Sequence, residues 1–249
     1  MYLQFFGFTN TPFSDSPDVR LFWEEHASRV VFSQLFQELL GGCRLQVVSA
    51  EPGLGKSMLC RRLLNLLRAH KSRFEVSFAP FPMLRLGYQP EKAPASAIDR
   101  HKVLLVDEAQ SLSTDSLLML AVALHQDKRL QAILFGHPEL LSNLQSPDLY
   151  LYQLQELDTR FHTLAPLSEA ETASSIKARL HMAGADSGLF DEALTPEIHR
   201  CTTGIPRLIN ILMRKALIHA CEEQSPRLTL RHIRMAGSTT AAVAAITNQ

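Results

Sequence analysis

The strongest constraint on the fold is a short apolar run, followed by a turn and then an amphipathic pattern. Residues 45–48 (LQVV) are typical of a buried strand, and leucines recur at helical spacing from Leu59 to Leu67. Between them lies AEPGLGKS, residues 50–57. This differs from the pattern G-x-x-x-x-G-K-[ST] only in its first position, where Ala50 replaces glycine. The order strand, loop, helix favours a phosphate-binding loop over a structural turn.

The residue types in this loop suit phosphate binding. Successive backbone N–H groups at the start of a helix attract anions, and glycines permit the backbone angles that the loop needs. Lys56 would reach the β and γ phosphates, and the hydroxyl of Ser57 would bind magnesium. Ala50 is tolerable at a strand end, because a methyl group penalises mainly positive φ. The predicted nucleotide-binding residues are Glu51, Pro52, Gly53, Leu54, Gly55, Lys56, Ser57 and Met58.

A second motif, VLLVDEAQ at residues 103–110, ends an apolar strand in two adjacent acids. In an open α/β sheet ligands bind at the carboxyl ends of the strands, so these acids should lie at the same edge as the loop. Asp107 would then hold magnesium, and Glu108 would orient the attacking water. An acid after a strand is also a common helix N-cap, and only the pairing with residues 50–57 favours the functional interpretation.

The remaining pattern predicts two lobes. Strands at 45–48, 74–78, 103–106, 130–135 and 161–164 alternate with helices, which predicts an α/β fold with a parallel five-stranded sheet flanked by helices. Helices at 169–183, 190–201, 206–222 and 229–236 then predict a smaller all-helical lobe. We therefore expect an aromatic strap packed on the α/β core (1–25), the α/β domain (26–165), a helical lid domain (166–236) and a flexible tail (237–249).

Composition excludes several classes of protein. Lysine plus arginine and aspartate plus glutamate both number 25, so the formal net charge is zero and no global attraction to nucleic acid is expected. The four cysteines form no C-x-x-C pair, which argues against a zinc site and favours a reducing compartment. With no predicted membrane span or secretory signal, we expect a cytoplasmic protein that a partner would bring to the inner membrane if it acts there.

Several stretches together resemble one branch of the AAA+ P-loop ATPases. GLGKS and VLLVDEAQ resemble AAA+ proteins in general. YLQFFGFTNTPFSDSPD, LFGHPELL, LDTRF and TTGIPRLINIL are similar to the family of general secretion pathway protein A (the ExeA type) and the MSHA pilus biogenesis ATPase. The resemblance covers roughly residues 1–235. Transposition ATPases of the TniB/TnsC type share much of the same core.

The resemblance implies further roles. His137, where the family carries glutamine, would be a polar sensor of the γ-phosphate, and Arg207 of the lid would contact the nucleotide phosphates. Arg160 would reach the γ-phosphate of a neighbouring subunit, which requires a homo-oligomeric ring or filament. The implied cofactors are ATP and Mg2+. The implied work is assembly of a secretion or pilus apparatus, with proteins of that apparatus as partners.

The sequence departs from the family pattern at two places and leaves two alternative functions open. Ala50 is one departure, and the short, proline-bearing section 79–102 is the other, which weakens the transfer of the family's partner. One alternative is an ATP-dependent DNA-binding transposition regulator, with Arg227, Arg231 and Arg234 near DNA. The other is a nucleotide switch that does not hydrolyse ATP. The chain is either a compact relative or part of a longer protein.

Overall fold

The computed structural model describes residues 2–14, 26–80, 100–144 and 157–247. The chain divides into two compact units. One unit comprises residues 27–52 and 56–164, and the other comprises residues 1–26, 53–55 and 165–249. We call them the sheet unit and the helical unit.

The sheet unit contains a parallel sheet of five strands. In chain order the elements are α2 (His26–Leu40), β1 (Leu45–Ser49), α3 (Lys56–Ala69), β2 (Phe74–Ala79), β3 (His101–Val106), α4 (Thr114–Gln126), β4 (Leu130–Gly136), α5 (Glu139–Leu144) and β5 (Thr159–Thr163), after a short α1 (Tyr2–Phe5) in the helical unit. The strand order is β2-β3-β4-β1-β5, and every pairing is parallel. The predicted fold class is therefore confirmed.

Burial follows position in the sheet. The central strands β1 and β4 are buried along their whole length, whereas the edge strands β2 and β5 are partly exposed. Strands covered on both faces need continuous apolar runs, which explains LQVVS and LQAILFG. Their buried glutamines still find acceptors, since the Gln46 amide donates to Leu35 O at 3.3 Å and the Gln131 amide to Leu39 O at 2.8 Å.

The helical unit packs α6 (Glu169–Met182), α7 (Thr195–Thr202), α8 (Pro206–Glu222) and α9 (Leu230–Thr247) around an apolar core. A capping box begins α6, in which Ser168 N–H donates to the Glu171 carboxylate at 2.9 Å and Glu171 N–H donates to the Ser168 hydroxyl at 3.3 Å. Residues that contribute to the core include Ile176, Leu180, Ile198, Leu212, Met213, Leu217 and Ile233.

The N-terminal aromatic segment differs from the expectation. Phe13 is completely buried in the core of the helical unit, and Tyr2, Phe6 and Phe8 pack against that core rather than in the sheet unit. Thr9 strengthens the attachment, because its N–H donates to Ala183 O at 2.9 Å. Ring burial beside apolar helices outweighs nearness in sequence to the sheet unit. Phe22 and Trp23 lie outside the described residues.

Two further expectations differ from the structure or lie outside it. The expected flexible tail is helical as far as Thr247, since α9 continues through an alanine-rich stretch of high helix propensity. Gly237 permits close packing at this point, because a Cβ there would lie 2.9 Å from Cys201 Sγ. Residues 81–99 lie outside the described residues, and so do residues 148–156 of a helix that the sequence predicts around 148–158.

Gly204 is the tightest backbone position of the helical unit. Its φ is +74°, and a Cβ there would lie 2.1 Å from Leu167 O. The two residues are also hydrogen-bonded, since Leu167 N–H donates to Gly204 O at 2.9 Å. We expect Gly204→Ala to lower stability by about 3 kcal/mol, through left-handed strain and a clash with backbone that cannot move aside. Thermal unfolding measures this change.

Gly41→Ala is the matched control for this substitution. The nearest atom to a Cβ at Gly41 is Glu38 O at 3.4 Å, and the φ of Gly41 does not lie in the left-handed region. An unfolding temperature for Gly204→Ala equal to that of the control would contradict the close approach.

Candidate functional site

Parallel pairing brings the carboxyl ends of β1, β3 and β4 to one edge of the sheet. Ser49 of β1 lies opposite Gly136 of β4, and Val106 of β3 lies opposite Leu134. A hydrogen bond from Ala50 N–H to Gly136 O, at 3.2 Å, extends the pairing into the loop. The loop after β1, the acids after β3 and the residues after β4 therefore leave the sheet side by side.

The loop after β1 turns with two glycines in the left-handed region. Gly53 has φ of +86° and Gly55 has φ of +92°, where a side chain would be strained. Ala50 is buried, and its φ is not positive, so the alanine fits the strand end as expected. Lys56 is the first residue of α3. The predicted sequence of strand, glycine loop and helix is present.

The side chain of Lys56 lies against the loop. Only 4% of the residue is exposed, and its ammonium donates to Ala50 O at 2.6 Å and to Glu51 O at 3.1 Å. Burial lowers the pKa of Lys56, while the negative charges of Glu108 and Asp107 oppose that shift. A desolvated cation is thus held at the loop that would receive phosphate.

Asp107 directly follows β3 and is buried. The residue is 5% exposed, and its carboxylate accepts a hydrogen bond from Glu108 N–H at 3.1 Å. Burial raises the pKa of Asp107, and the nearby hydroxyl of Ser57 partly offsets that shift. The two residues predicted to bind magnesium are therefore close enough to interact, and their oxygens are the kind of ligand that Mg2+ prefers.

Glu108 has an unusual backbone. Its φ of 55° and ψ of 39° are left-handed, and it precedes a 3-10 turn at Ala109–Ser111. This conformation is strained for a residue other than glycine, and residues with such strain cluster at functional sites. The Glu108 carboxylate lies 3.8 Å from the Nε2 atom of His137, so the structure brings the predicted water-orienting acid and the predicted sensor together.

Gln110 is the residue that the sequence reasoning missed. Its side-chain amide donates to Glu108 Oε2 at 2.7 Å, and its side-chain carbonyl accepts from His137 N–H at 3.2 Å. The available signal was its position two residues after Glu108, in DEAQ. That spacing says nothing of a contact with residue 137, which depends on the pairing of β3 with β4.

Arg207 and Arg160 lie on other elements. In the helical unit, Arg207 is the second residue of α8, and its N–H donates to Gly53 O at 3.3 Å. A Cβ at Gly53 would lie 2.9 Å from Arg207 Cβ, so the glycine permits close contact. In the sheet unit, Arg160 lies on the edge strand β5, with 55% of its side chain exposed and its guanidinium 3.2 Å from Asp158.

Two of the C-terminal arginines that suggested DNA binding are paired with acids. Arg231 lies 3.2 Å from Glu223, and Arg234 lies 3.2 Å from Glu197. Their positive charge is balanced locally, which does not favour a surface for nucleic acid.

The pKa of Asp107 is raised and that of Asp127 is lowered, so replacing each aspartate by asparagine should change the stability of the protein in opposite directions. Burial raises the pKa of Asp107, so its charge costs stability as pH rises through that value, and the cost is present at pH 7. We therefore expect Asp107→Asn to stabilise the nucleotide-free protein at pH 7 by about 1 kcal/mol, or about 2–4 °C in Tm. The gain should vanish as pH falls and Asp107 takes up its proton.

Asp127 provides the matched control with the opposite sign. Burial opposes the shift, but Lys102 at 2.8 Å and the Arg129 N–H at 2.9 Å lower the pKa of Asp127. Its stabilisation is present above the ordinary aspartate pKa and is lost as pH falls. Asp127→Asn should therefore lower Tm at pH 7. Melting curves of both variants from pH 4 to pH 8 check the signs, and a lower Tm for Asp107→Asn at pH 7 would contradict the burial argument.

Comparison with known proteins shows which family model and which relative are similar to this chain. The family model described as AAA domain matches residues 82–144. General secretion pathway protein A from Aeromonas hydrophila is 31% identical over 95% of this chain and 48% of that protein, so the chain spans about half the length of this relative. The resemblance inferred from the motifs is confirmed.

Solved structures share the fold at low sequence identity. Domain III of the DnaA replication initiation protein from Thermotoga maritima has a TM-score of 0.61 at 14% identity, over 91% of this chain and 97% of that one. The Thermotoga maritima RuvB Holliday junction branch migration motor has a TM-score of 0.59 at 16% identity, over 92% and 73%. The Aeropyrum pernix ORC2 protein, solved as ADPNP–ADP complexes, has a TM-score of 0.58 at 15% identity, over 86% and 67%.

In the part of the chain that the structure describes, no helix has both the length and the apolar character that crossing a membrane requires.

Proposed function

We propose that this chain, which has the AAA+ P-loop fold and is similar to general secretion pathway protein A, binds ATP with Mg2+ and hydrolyses it to ADP and phosphate. One observation carries the proposal. The buried ammonium of Lys56, at the start of α3, lies where the charges of Glu108 and Asp107, after β3, act on it, and the hydroxyl of Ser57 acts on Asp107. This proximity of two motifs that are far apart in sequence supports one site with the chemistry that a magnesium nucleotide needs.

The chain's own groups would bind the phosphates. The loop residues 51–58, apart from Pro52, offer backbone N–H groups at the start of α3, where the helix dipole favours negative charge. Lys56 adds a full positive charge that is already desolvated, so it loses little hydration when phosphate arrives. Arg207 would add a second charge, and the contact of its backbone with Gly53 supports this role.

Ser57 and Asp107 would hold the metal, together with the phosphates themselves. A magnesium ion held there would supply positive charge to the phosphate oxygens. Asp107 must be ionised to serve as a ligand. Because burial raises the pKa of Asp107, nucleotide binding that depends on Mg2+ should weaken on acidification sooner than at an exposed aspartate.

Glu108 would orient the water that attacks the γ-phosphate. Its carboxylate is one-third exposed and can accept a hydrogen bond from water, while Asp107 beside it is turned inward to Ser57. The two adjacent acids therefore have separate tasks. His137 would lie at the same edge as a polar contact for the γ-phosphate. No covalent intermediate is required, because positioning and charge supply most of the rate enhancement in phosphoryl transfer.

Glu108→Gln should abolish turnover and preserve ATP binding, since the amide keeps the shape but is a poor acceptor for the proton of water. Lys56→Ala should instead weaken binding, because the buried charge is lost. Steady-state phosphate release and the Kd for a fluorescent ATP analogue measure the two effects.

Glu75→Gln is the control for loss of a carboxylate. Glu75 lies on β2 with Arg100 at 3.9 Å and is placed in no part of the nucleotide site. Turnover that survives in Glu108→Gln would remove Glu108 from the mechanism. A wild-type protein that binds ATP without turning it over would instead be a nucleotide switch.

The cellular role proposed is assembly of a secretion or type IV (MSHA-like) pilus apparatus, through proteins of that apparatus, in the cytoplasm or at the inner membrane through a partner. Its support is the similarity to general secretion pathway protein A over nearly the whole chain. Arg160 supports an assembly of copies of this chain in a ring or filament. Its side chain is exposed on an edge strand, where a neighbouring subunit could be reached.

Mixing two inactive variants tests Arg160. We expect Arg160→Ala and Glu108→Gln to be inactive separately and to regain activity when mixed, because the intact site of one would receive the arginine of the other. Phosphate release against mixing ratio measures this. A mixture that remains inactive while mass measurement with an ATP analogue shows mixed assemblies would contradict a role in trans.

The same mass measurement, repeated with duplex DNA, tests the transposition-regulator alternative. Binding that requires ATP and weakens steeply with salt would favour that alternative.

A further inference from the structure

The side chain of Gln110 bridges two residues at the candidate site. It belongs to the sheet unit, as do Glu108 and His137. Its amide nitrogen donates to Glu108 Oε2 at 2.7 Å, and its carbonyl oxygen accepts from His137 N–H at 3.2 Å. The Gln110 side chain thus joins the end of β3 to the end of β4.

The hydrogen bond from Gln110 holds the Glu108 carboxylate, which the backbone conformation does not fix. The Glu108 main chain is held in its left-handed conformation, with its carbonyl accepting from Ser111 N–H at 3.1 Å and from the Ser111 hydroxyl at 2.6 Å. Its carboxylate, in contrast, lies beyond several rotatable bonds. Within the described residues, the hydrogen bond that this carboxylate accepts comes from Gln110. His137 Nε2, at 3.8 Å, is too distant for a hydrogen bond.

The end of β4 leaves room for this amide. A Cβ at Gly136 would lie 3.2 Å from both the backbone nitrogen and the side-chain oxygen of Gln110, and 2.7 Å from Leu140 Cδ2. The φ of Gly136 does not lie in the left-handed region, so the glycine is needed for space rather than for backbone freedom.

We propose that Gln110 is a positioning residue for ATP hydrolysis, which holds the Glu108 carboxylate where it orients the attacking water and links that position to the end of β4. The inference rests on the proposed function. A neutral amide suits the task because it donates a hydrogen bond without taking up or releasing a proton. The link is to the main chain of His137, so movement of the β4 end would be transmitted to the acid.

Gln110→Leu removes both hydrogen bonds and preserves approximate size. We expect kcat to fall roughly 10–100-fold, with the KM for ATP and the Kd for a fluorescent ATP analogue within about twofold, because misplacement of the acid affects hydrolysis rather than binding. Gln110→Glu should be at least as slow, since its carboxylate cannot donate and repels Glu108. Gly136→Ala, which crowds the amide, should show the same split between kcat and KM.

Gln34→Leu is the matched control. Gln34 is an exposed residue of α2, and the same substitution there should leave kcat unchanged. Hydrogen exchange at the His137 amide provides a readout independent of activity. Exchange should be faster in Gln110→Leu than in wild type, because that N–H loses its acceptor.

The outcomes separate this inference from the proposed function. Unchanged exchange at His137 refutes the bridge whether or not the protein hydrolyses ATP. Faster exchange with kcat equal to the control refutes the positioning role and leaves the ATPase assignment intact. A wild-type protein without turnover refutes both the ATPase assignment and a role for Gln110 in it. If Gln110→Leu unfolds, Gln110→Glu decides, and retained kcat in that variant overturns the inference.

Discussion

The candidate site depends on the parallel pairing of β3 with β4 and of β4 with β1. Parallel strands end at the same edge, so this pairing brings together three loops that lie far apart in the sequence. A register shift of one residue would reverse the direction of every side chain on a strand, and the central strands are buried on both faces. Core packing therefore secures the geometry at the edge.

The charged residues at this edge differ in burial. Lys56 and Asp107 are buried, and burial lowers the pKa of Lys56 and raises that of Asp107, which favours the neutral form of each. Glu108 is more exposed, with one-third of its side chain accessible to solvent. If a magnesium nucleotide binds here as we propose, it would compensate both signs of buried charge and stabilise the protein.

Much of the fold could be predicted from sequence because its signals are local. The positions of β1, α3, α4 and β4 follow from apolar periodicity, and the loop glycines follow from the backbone angles required. The placement of the aromatic segment could not be predicted in this way. Whether Phe13 packs in the sheet unit or the helical unit depends on which apolar surface is available in three dimensions, and the helical unit provides it.

The same division applies to the site. Sequence alone predicted the chemistry that we propose for the phosphate loop and the two acids, because Lys56, Ser57, Asp107 and Glu108 occur in motifs whose residue order indicates those roles. Only the tertiary structure decided which groups touch. Ser57 acts on Asp107 although the two residues follow different strands, and the side chain of Gln110 joins Glu108, after β3, to His137, after β4. A linear pattern contains no information on those contacts, since they arise from strand order and register.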